Sequence, residues 1–231
     1  MAAVALALSV SVLTVAQAQS NDAVRDRMAT VLPDSTPDAI VPSPVEGLVE
    51  VRYGSDIFYV TDDGRYLFQG ALIDLETREN LTSRAQDSGR ADLFAEMDDD
   101  QFTVYAPEGE VLHTVNIFTD PNCPFCRRQH EEMDEFLAAG VKVRYLIYPI
   151  LGRESPQIME SIWCADDRNA AMDLAKAGRP VERRSCETPA EEHLALGRSL
   201  GIQGTPATVT DSGRLISGYR PAAEIIELLN R

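Results

Sequence analysis

The stretch Thr119-Asp120-Pro121-Asn122-Cys123-Pro124-Phe125-Cys126 decides the fold, because it joins a predicted strand to a predicted helix. The apolar run 111–118 before it is typical of a strand. Residues 127–139 after it carry an apolar stripe at helical spacing, formed by Met133, Phe136 and Leu137. The two cysteines therefore lie on the first turn of a helix that starts where a strand ends.

This position gives the first sulfur a chemical role. The unpaired N–H groups and the positive end of the helix dipole favour an anion, so we expect Cys123 to be partly thiolate. Pro124 suits the first turn, where its missing N–H costs nothing. A thiolate can attack a disulfide, and a second thiol three residues on can then resolve the resulting mixed disulfide. Cys123 is thus the predicted catalytic nucleophile, and Cys126 the predicted resolving thiol.

Two other uses of a CxxC motif remain open. The motif can be half of a zinc site, but such a site needs two further ligands. The chain has no second CxxC and no HxxxH pair, and offers only Cys164, Cys186, His113, His130 and His193. A purely structural bridge is the other alternative. We predict redox chemistry carried by the thiols themselves, with no metal and no cofactor.

Residues 1–18 contain no charged residue and end in Ala16-Gln17-Ala18, the small-x-small pattern of a signal peptidase site. We predict a cleavable signal peptide at 1–18, with a membrane anchor as the alternative, although the apolar run is short for a bilayer span. Export implies an oxidising compartment, in which four cysteines make sense as two pairs. The net charge of −16 argues against nucleic acid as a partner.

The mature chain is long enough for two domains, and we place the first at 19–78. A short amphipathic helix at 22–32 precedes a Pro-punctuated loop with Pro37, Pro42 and Pro44. The hairpin signal Asp63-Gly64 stands among four predicted strands, at 48–53, 57–61, 65–69 and 71–75. A helix and a small sheet of this size are marginal alone, so dimerisation through an open edge is expected.

We predict a linker at 79–100, helical around 90–97, whose acidic run 96–100 is a solvated face. The second predicted domain, 101–231, begins with the segment 101–105. The strand before the CxxC, the CxxC helix and the strand 141–148 follow as a βαβ unit with a parallel pair. The rest predicts an α+β fold, with mostly helical residues 152–177, a helix at 188–200, a hairpin of 207–210 and 214–218, and a last helix at 221–229.

Cys164 and Cys186 lie in the helical insertion. In an exported chain the two remaining cysteines most simply pair with each other, closing a loop that stabilises by roughly 3 kcal/mol in the chain-entropy model. The alternative is a second redox-active pair, although it lacks the CxxC spacing.

The dipeptide Thr205-Pro206 stands just before a predicted strand, and either a cis or a trans peptide is compatible with a turn there. A CxxC at a helix start followed by a late Thr-Pro resembles the thioredoxin fold, whose cis-proline loop lies against the active-site sulfurs. A rigid turn that exposes the backbone of Thr205 could pair with an extended substrate strand. Thr205 and Pro206 are therefore the predicted substrate-binding residues.

Six stretches widen this resemblance to the periplasmic disulfide isomerases of the DsbC and DsbG type. They are YVTDDG at 59–64, FTD at 118–120, VRYL at 143–146, IWCA at 162–165, LGIQGTPA at 200–207 and GYRP at 218–221. The resemblance implies a cystatin-like dimerisation domain, a helical linker and a thioredoxin-like domain with a helical insertion. It also implies that Cys164 and Cys186 form a structural disulfide and that Pro206 is a cis-proline. The departure is Pro124-Phe125, since the DsbC branch more often carries Gly-Tyr and a proline there occurs in the DsbG branch and in oxidases.

The predicted function is isomerisation of wrong disulfides in misfolded exported proteins of the periplasm, by a homodimer. Isomerisation needs Cys123 reduced in an oxidising space, so the resemblance also implies a membrane thiol reductase of the DsbD type. Three alternatives use the same chain: a DsbG-like reductant of oxidised single cysteines, a net disulfide oxidase, and a redox-inert holdase chaperone. The first two differ from the isomerase in redox poise.

Overall fold

The computed structural model describes residues 21–231, and the predicted signal peptide at 1–18 lies outside them. The chain forms two compact units, one ending at Gln86 and the other comprising Asp87–Arg231. Both units combine helices with antiparallel strands, which confirms the predicted α+β class. None of the helices within 21–231 is both long and apolar enough to cross a bilayer.

The first unit is a helix on a four-stranded antiparallel sheet. The helix α1 covers residues 21–31, and the strands are β1 (Ala39–Pro42), β2 (Leu48–Tyr53), β3 (Asp56–Thr61) and β4 (Leu67–Gln69), paired in that order. Val24 and Met28 of α1 pack on Val49, Val51 and Val60 of the sheet. The Asp63-Gly64 turn joins β3 to β4 as predicted, and Gly64 has φ +69°, which favours glycine.

Two strand predictions for this unit were wrong. The predicted loop 37–44 contains β1, whose Pro42 is tolerated because β1 is an edge strand. The predicted strand 71–75 is absent, and only Ile73 makes an isolated bridge there, to Asn80. The Asp74 carboxylate accepts hydrogen bonds from the backbone N–H groups of Glu76 and Thr77, so the chain turns at this point.

Helix α2 (Leu81–Ala95) begins in the first unit and ends in the second, so it starts well before the predicted helical segment 90–97. Ala85 belongs to the core of the first unit, and Phe94 to a core of the second. The acidic run after it is not merely a solvated face, because Asp99 pairs with Lys142 at 3.0 Å and with Arg144 at 2.6 Å. Asp99–Gln101 form a 3-10 turn before the second sheet.

The second unit is built on a five-stranded sheet in the order β5-β7-β6-β8-β9. Its strands are β5 (Thr103–Tyr105), β6 (His113–Thr119), β7 (Val141–Ile147), β8 (Ala207–Thr210) and β9 (Leu215–Ser217). The central pair β6 and β7 is parallel, as predicted for a βαβ unit, and the other pairs are antiparallel. Strand β6 is central and almost wholly buried, so its C-terminal end is held firmly where the CxxC begins.

Helices cover both faces of this sheet. The predicted helix 127–139 is two helices, α3 (Pro124–Glu131) and α4 (Met133–Ala138), and the predicted helical region 152–177 is also two, α5 (Ser155–Trp163) and α6 (Arg168–Lys176). The Asp167 carboxylate caps α6 by accepting from the N–H of Ala170. Two helices close the fold, α7 (Ala190–Ser199) and α8 (Ala222–Leu229).

Candidate active site

The CxxC motif opens helix α3 directly after strand β6. Cys123 is the N-cap residue, and its Sγ accepts a hydrogen bond from the backbone N–H of Cys126 at 3.3 Å. Pro124 occupies the first helical turn. Both cysteines are unpaired and buried, so the site is in its dithiol form. A helix N-terminus that already donates an N–H to this sulfur is suited to hold a thiolate.

A cis-proline loop lies against the first cysteine. The Thr205-Pro206 peptide is cis, and the Cys123 thiol donates a hydrogen bond to the carbonyl oxygen of Thr205 at 3.2 Å. The Thr205 hydroxyl oxygen is buried and finds no hydrogen-bond partner within the described residues. The fold thus brings Cys123 and Cys126 close to Thr205 and Pro206, which lie 79 or more positions later in the sequence.

Asp120 fixes the loop that enters the CxxC. Its side chain is fully buried and accepts hydrogen bonds from the N–H of Asn122 at 2.7 Å, the N–H of Leu151 at 2.9 Å and the hydroxyl of Ser155 at 2.9 Å. A buried carboxylate with three donors is well satisfied. The loop at 119–122 is therefore a rigid base for Cys123, a role that sequence reasoning did not assign to Asp120.

Lys176 is a second functional candidate that sequence reasoning missed. It is the last residue of α6 and only 4% exposed. Its amine donates hydrogen bonds to the hydroxyl of Thr119 and to the carbonyl oxygen of Asp120, the latter at 3.1 Å. Burial lowers the pKa of Lys176 to about 8, although nearby Cys126 and Cys123 oppose this shift. The amine can thus exchange a proton near neutral pH.

The two buried groups act on each other. Burial raises the pKa of the Cys126 thiol, and the positive charge of Lys176 is the largest effect that opposes this rise. A charged Lys176 therefore favours the Cys126 thiolate, and a Cys126 thiolate in turn favours the protonated amine of Lys176. A proton that leaves Cys126 has an amine close by to receive it.

A polar network lies between the ring of Tyr145, beside Lys176, and solvent. Lys176 lies 5.6 Å from the ring centre of Tyr145, and the hydroxyl of Tyr145 is 3.1 Å from Nδ1 of His130. Nε2 of His130 is 3.0 Å from the carboxylate of Asp173, whose side chain is 54% exposed. Burial lowers the pKa of His130, so it is a neutral link. Tyr145, His130 and Asp173 thus form a hydrogen-bonded network that ends at the surface, and Lys176 faces this network through the ring of Tyr145.

The three histidines are all engaged by protein partners. His113 contacts Asp211 at 2.7 Å, His130 contacts Tyr145 and Asp173, and the N–H of Ile147 donates to Nδ1 of His193 at 3.0 Å. Within residues 21–231 no group of three or more Cys, His, Asp or Glu side chains is arranged to hold a metal ion.

Exposed apolar side chains surround the CxxC. Phe125 is 57% exposed and stacks on the ring of Tyr219, with 6.4 Å between the ring centres. Ile150 and Leu151, in the segment that is bonded to Asp120, are also exposed. Large apolar side chains that stay exposed beside a reactive sulfur are typical of a surface that contacts a protein substrate.

Cys164 and Cys186 form a disulfide, with Cα atoms 5.7 Å apart. The bond joins the C-cap of α5 to the loop before α7, so it closes the helical insertion. Removing it by Cys164→Ala and Cys186→Ala together should lower the free energy of unfolding by about 3 kcal/mol, through loss of loop closure. Urea denaturation measures this loss. Disulfide exchange should stay close to wild type in the variant, and a folded variant without exchange would instead assign the pair a redox role.

Two protein-family models match the chain. Residues 15–83 match "Disulfide bond isomerase protein N-terminal domain", and residues 99–231 match "Thioredoxin-like domain". These matches confirm the predicted N-terminal and thioredoxin-like domains, and helices α2, α5 and α6 of the structure form the predicted helical linker and helical insertion.

Curated relatives are similar over nearly the whole chain. The thiol:disulfide interchange protein DsbC of Salmonella typhimurium is 39% identical over 212 residues, which cover 90% of this chain and 86% of that protein. DsbC of Escherichia coli K12 is 37% identical over 218 residues, covering 92% and 89%. Among solved structures, a disulfide interchange protein from Neisseria gonorrhoeae is 32% identical with a TM-score of 0.52, covering 58% of this chain and 96% of that one.

Proposed function

Because the chain belongs to the DsbC family of thiol:disulfide interchange proteins, we propose that it isomerises wrong disulfides in exported proteins through Cys123 and Cys126. One observation carries the assignment of roles. The Sγ atom of Cys123 lies between the helix N–H of Cys126 and the carbonyl of Thr205 beside the cis-proline. This sulfur alone meets both an anion-stabilising donor and the loop that can dock a substrate strand.

The reaction begins with attack by the Cys123 thiolate on one sulfur of a substrate disulfide. A mixed disulfide forms, and the other substrate sulfur leaves as a thiolate. A different substrate thiolate then attacks the substrate sulfur of the mixed disulfide, which gives a new pairing and regenerates the Cys123 thiolate. No electrons are gained or lost in this cycle, so the protein acts as an isomerase.

Cys126 provides the escape when rearrangement stalls. Its thiolate attacks the Cys123 sulfur, releases the substrate thiolate and leaves a Cys123–Cys126 disulfide, so two electrons pass to the substrate. This step needs a proton to leave Cys126, whose pKa is raised by burial. We propose that the neutral amine of Lys176 takes this proton. Its burial beside Thr119 and its pKa of about 8 support this role.

Substrate docking is proposed at the cis-proline loop. The Thr205 carbonyl that accepts from the resting thiol becomes available to a substrate N–H once Cys123 is a thiolate. An extended substrate segment can then pair with the loop backbone, which fixes the substrate without reading its sequence. Phe125, Ile150 and Leu151 supply apolar contact for unfolded segments. Such low selectivity suits an enzyme that repairs many proteins.

The Cys126→Ser variant tests the assignment of roles. Attack by Cys123 remains possible, but the intramolecular escape is lost, so mixed disulfides with oxidised substrate should accumulate. Mass spectrometry of non-reduced digests should place them on Cys123. The matched control is Cys123→Ser, which keeps Cys126 and should trap nothing. Finding no adduct on Cys123 in the first variant, or adducts of equal yield on Cys126 in the control, would refute the assignment.

We propose that the protein is a homodimer joined through its first domain, 19–78. Strand β4 is at the edge of the sheet, and its Leu67 and Phe68 are exposed. An open edge with apolar side chains favours pairing with a second copy. The match to the isomerase-type N-terminal domain over residues 15–83 supports this reading.

Phe68→Asp should weaken the dimer by at least about tenfold, because it would bury an unpaired carboxylate at the interface. Analytical ultracentrifugation at a series of concentrations measures the change. Val45→Asp is the control, since Val45 is also exposed but lies in the loop between β1 and β2. A Phe68→Asp protein that dimerises as tightly as the control would place the interface elsewhere.

We further propose the periplasm as the compartment, with the signal peptide at 1–18 removed. The disulfide between Cys164 and Cys186 supports an oxidising environment. In such a compartment Cys123 must be kept reduced to act as an isomerase. We propose a membrane thiol reductase of the DsbD type as the electron donor, and misfolded exported proteins as substrates.

A further inference from the structure

An arginine-rich cavity adjoins the reactive dithiol. It has a volume of about 810 Å³, within the range of small-molecule binding sites, and lies in the second unit between helix α5 and the end of α6. Pro121 and Asn122, which directly precede Cys123, form part of its wall. The cavity is therefore next to the site of chemistry but is not used by the exchange mechanism.

Four arginines line this cavity, and Glu154 is the one acidic residue among its lining residues. They are Arg127, Arg153, Arg179 and Arg183. The concentration is unusual because the chain carries 37 acidic and 21 basic residues. The arginines come from helix α3 and from loops on either side of the α5–α6 pair, so the fold itself gathers positive charge here.

This charge is not neutralised from within the described part of the chain. The side chains of Arg153, Arg179 and Arg183 make no ion pair or hydrogen bond among residues 21–231, and Arg127 donates only to the carbonyl oxygen of Pro121, at 2.9 Å. A second cavity, of about 490 Å³ near α8, also contains arginines, but there Arg220 pairs with Glu224 and Arg231 with Glu227. The positive charge of the arginines beside the dithiol is therefore available to an anion that binds from solution.

We propose that this cavity binds a ligand that carries two or more carboxylates. Guanidinium groups pair with carboxylates through two parallel hydrogen bonds, and groups from three chain segments can hold several carboxylates at once. Ile158, Pro180 and Val181 supply apolar wall for the carbon skeleton between them. The source is either a free polycarboxylate or an acidic segment of a partner protein, which present the same chemistry.

Arg127 connects the cavity to the dithiol. Its positive charge is one of the influences that lower the pKa of Lys176. A carboxylate bound at Arg127 offsets that charge and favours the protonated amine. Occupancy of the cavity therefore acts on the buried groups beside Cys126 without touching either sulfur.

Calorimetric titration of the full mature chain in its dithiol form tests the proposal. The probes are citrate and a short peptide of consecutive glutamates, at low ionic strength. Wild type should bind at least one probe, and the triple variant Arg153→Gln, Arg179→Gln, Arg183→Gln should bind it at least about tenfold more weakly. The control is Arg198→Gln, which removes an exposed arginine on α7 that does not line the cavity and should bind as wild type does. High salt should weaken binding.

The outcomes separate the two sources. Binding of citrate alone indicates a free polycarboxylate, and binding of the peptide alone indicates an acidic segment of a partner. The proposal is overturned if wild type binds neither probe, or if the triple variant binds as tightly as Arg198→Gln. No disulfide is exchanged in this measurement, so its result does not depend on the isomerase assignment.

Discussion

Cys123→Ala should abolish the rearrangement of scrambled disulfides, with a loss of roughly a thousandfold or more in rate over the wild-type protein. The reason is that both branches of the reaction pass through a mixed disulfide on this sulfur. Cys126 cannot replace it, since burial raises the pKa of the Cys126 thiol. The assay is recovery of activity by a scrambled, fully oxidised multi-disulfide protein in a glutathione buffer.

The double variant Cys164→Ala, Cys186→Ala is the matched control for this experiment, because it also removes sulfur but not at the helix start. It should retain the activity that Cys123→Ala loses. If Cys123→Ala and Cys126→Ala together still prevented aggregation of an unfolded protein, a holdase function would exist beside the exchange reaction. Equal rates of disulfide exchange in Cys123→Ala and wild type would refute the assignment of Cys123 as the nucleophile.

Lys176→Met should slow the resolving step by about a hundredfold, since it removes the group proposed to take the proton from Cys126. Stopped-flow measurement of the release of reduced substrate from the mixed disulfide follows this step. In wild type the rate should rise as the pH passes about 8, where the amine becomes neutral. In the variant the rise should move to higher pH, because Cys126 must then lose its proton to solvent.

The same variant should be more stable than wild type at neutral pH. The pKa of Lys176 falls from 10.5 to about 8 on folding, so the unfolded chain binds more protons between these values and stability rises with pH across that window. Below about pH 8 the folded protein bears the full cost of burying the charged amine, on the order of 3 kcal/mol. The variant removes this cost but also loses the hydrogen bonds of the amine to Thr119 and Asp120. Urea denaturation of Lys176→Met at pH 7 should show a net gain of about 1–3 kcal/mol.

Lys176→Arg distinguishes proton transfer from charge alone. Arginine keeps the positive charge but does not deprotonate in proteins, so this variant should resolve the mixed disulfide much more slowly than wild type. Recovery of the wild-type rate in Lys176→Arg would show that the residue acts only as a fixed charge. An unchanged rate in Lys176→Met would remove Lys176 from the mechanism.

Local sequence signals predicted the parts of the site that depend on neighbouring residues. The apolar run before Cys123 and the helical stripe after it placed the CxxC at a helix start, and the Thr205-Pro206 dipeptide pointed to a tight loop before a strand. The parallel pairing of β6 and β7 followed from strand, helix and strand in that order.

The rest depends on tertiary contacts. Lys176 is the last residue of an ordinary amphipathic helix, and only packing against β6 shows that its amine faces Thr119 and Cys126. A signal was present, since Lys176 follows Met172 and Ala175 on the buried stripe of α6. Asp120 resembles any turn aspartate until the segment of Leu151 folds onto it. At 71–75 the apolar residues predicted a strand, but the hydrogen bonds of the Asp74 carboxylate form a turn there instead.

The residues Pro124 and Phe125 between the cysteines are compatible with an oxidase as well as with an isomerase. A proline between the cysteines changes how strongly the helix start stabilises the Cys123 thiolate, and a difference of about 30 mV in potential corresponds to only about 1.4 kcal/mol. The proposed isomerisation requires a potential at which the dithiol form persists when reductant is supplied.

The most direct test of isomerisation is refolding of a scrambled, fully oxidised multi-disulfide protein by catalytic amounts of the mature chain in a glutathione buffer. A parallel sample should contain the same substrate fully reduced. We predict that wild type restores native activity to the scrambled substrate and that Phe68→Asp, as a monomer, does so less efficiently. A protein that oxidises the reduced substrate but leaves the scrambled one unchanged would be an oxidase, and would contradict the account.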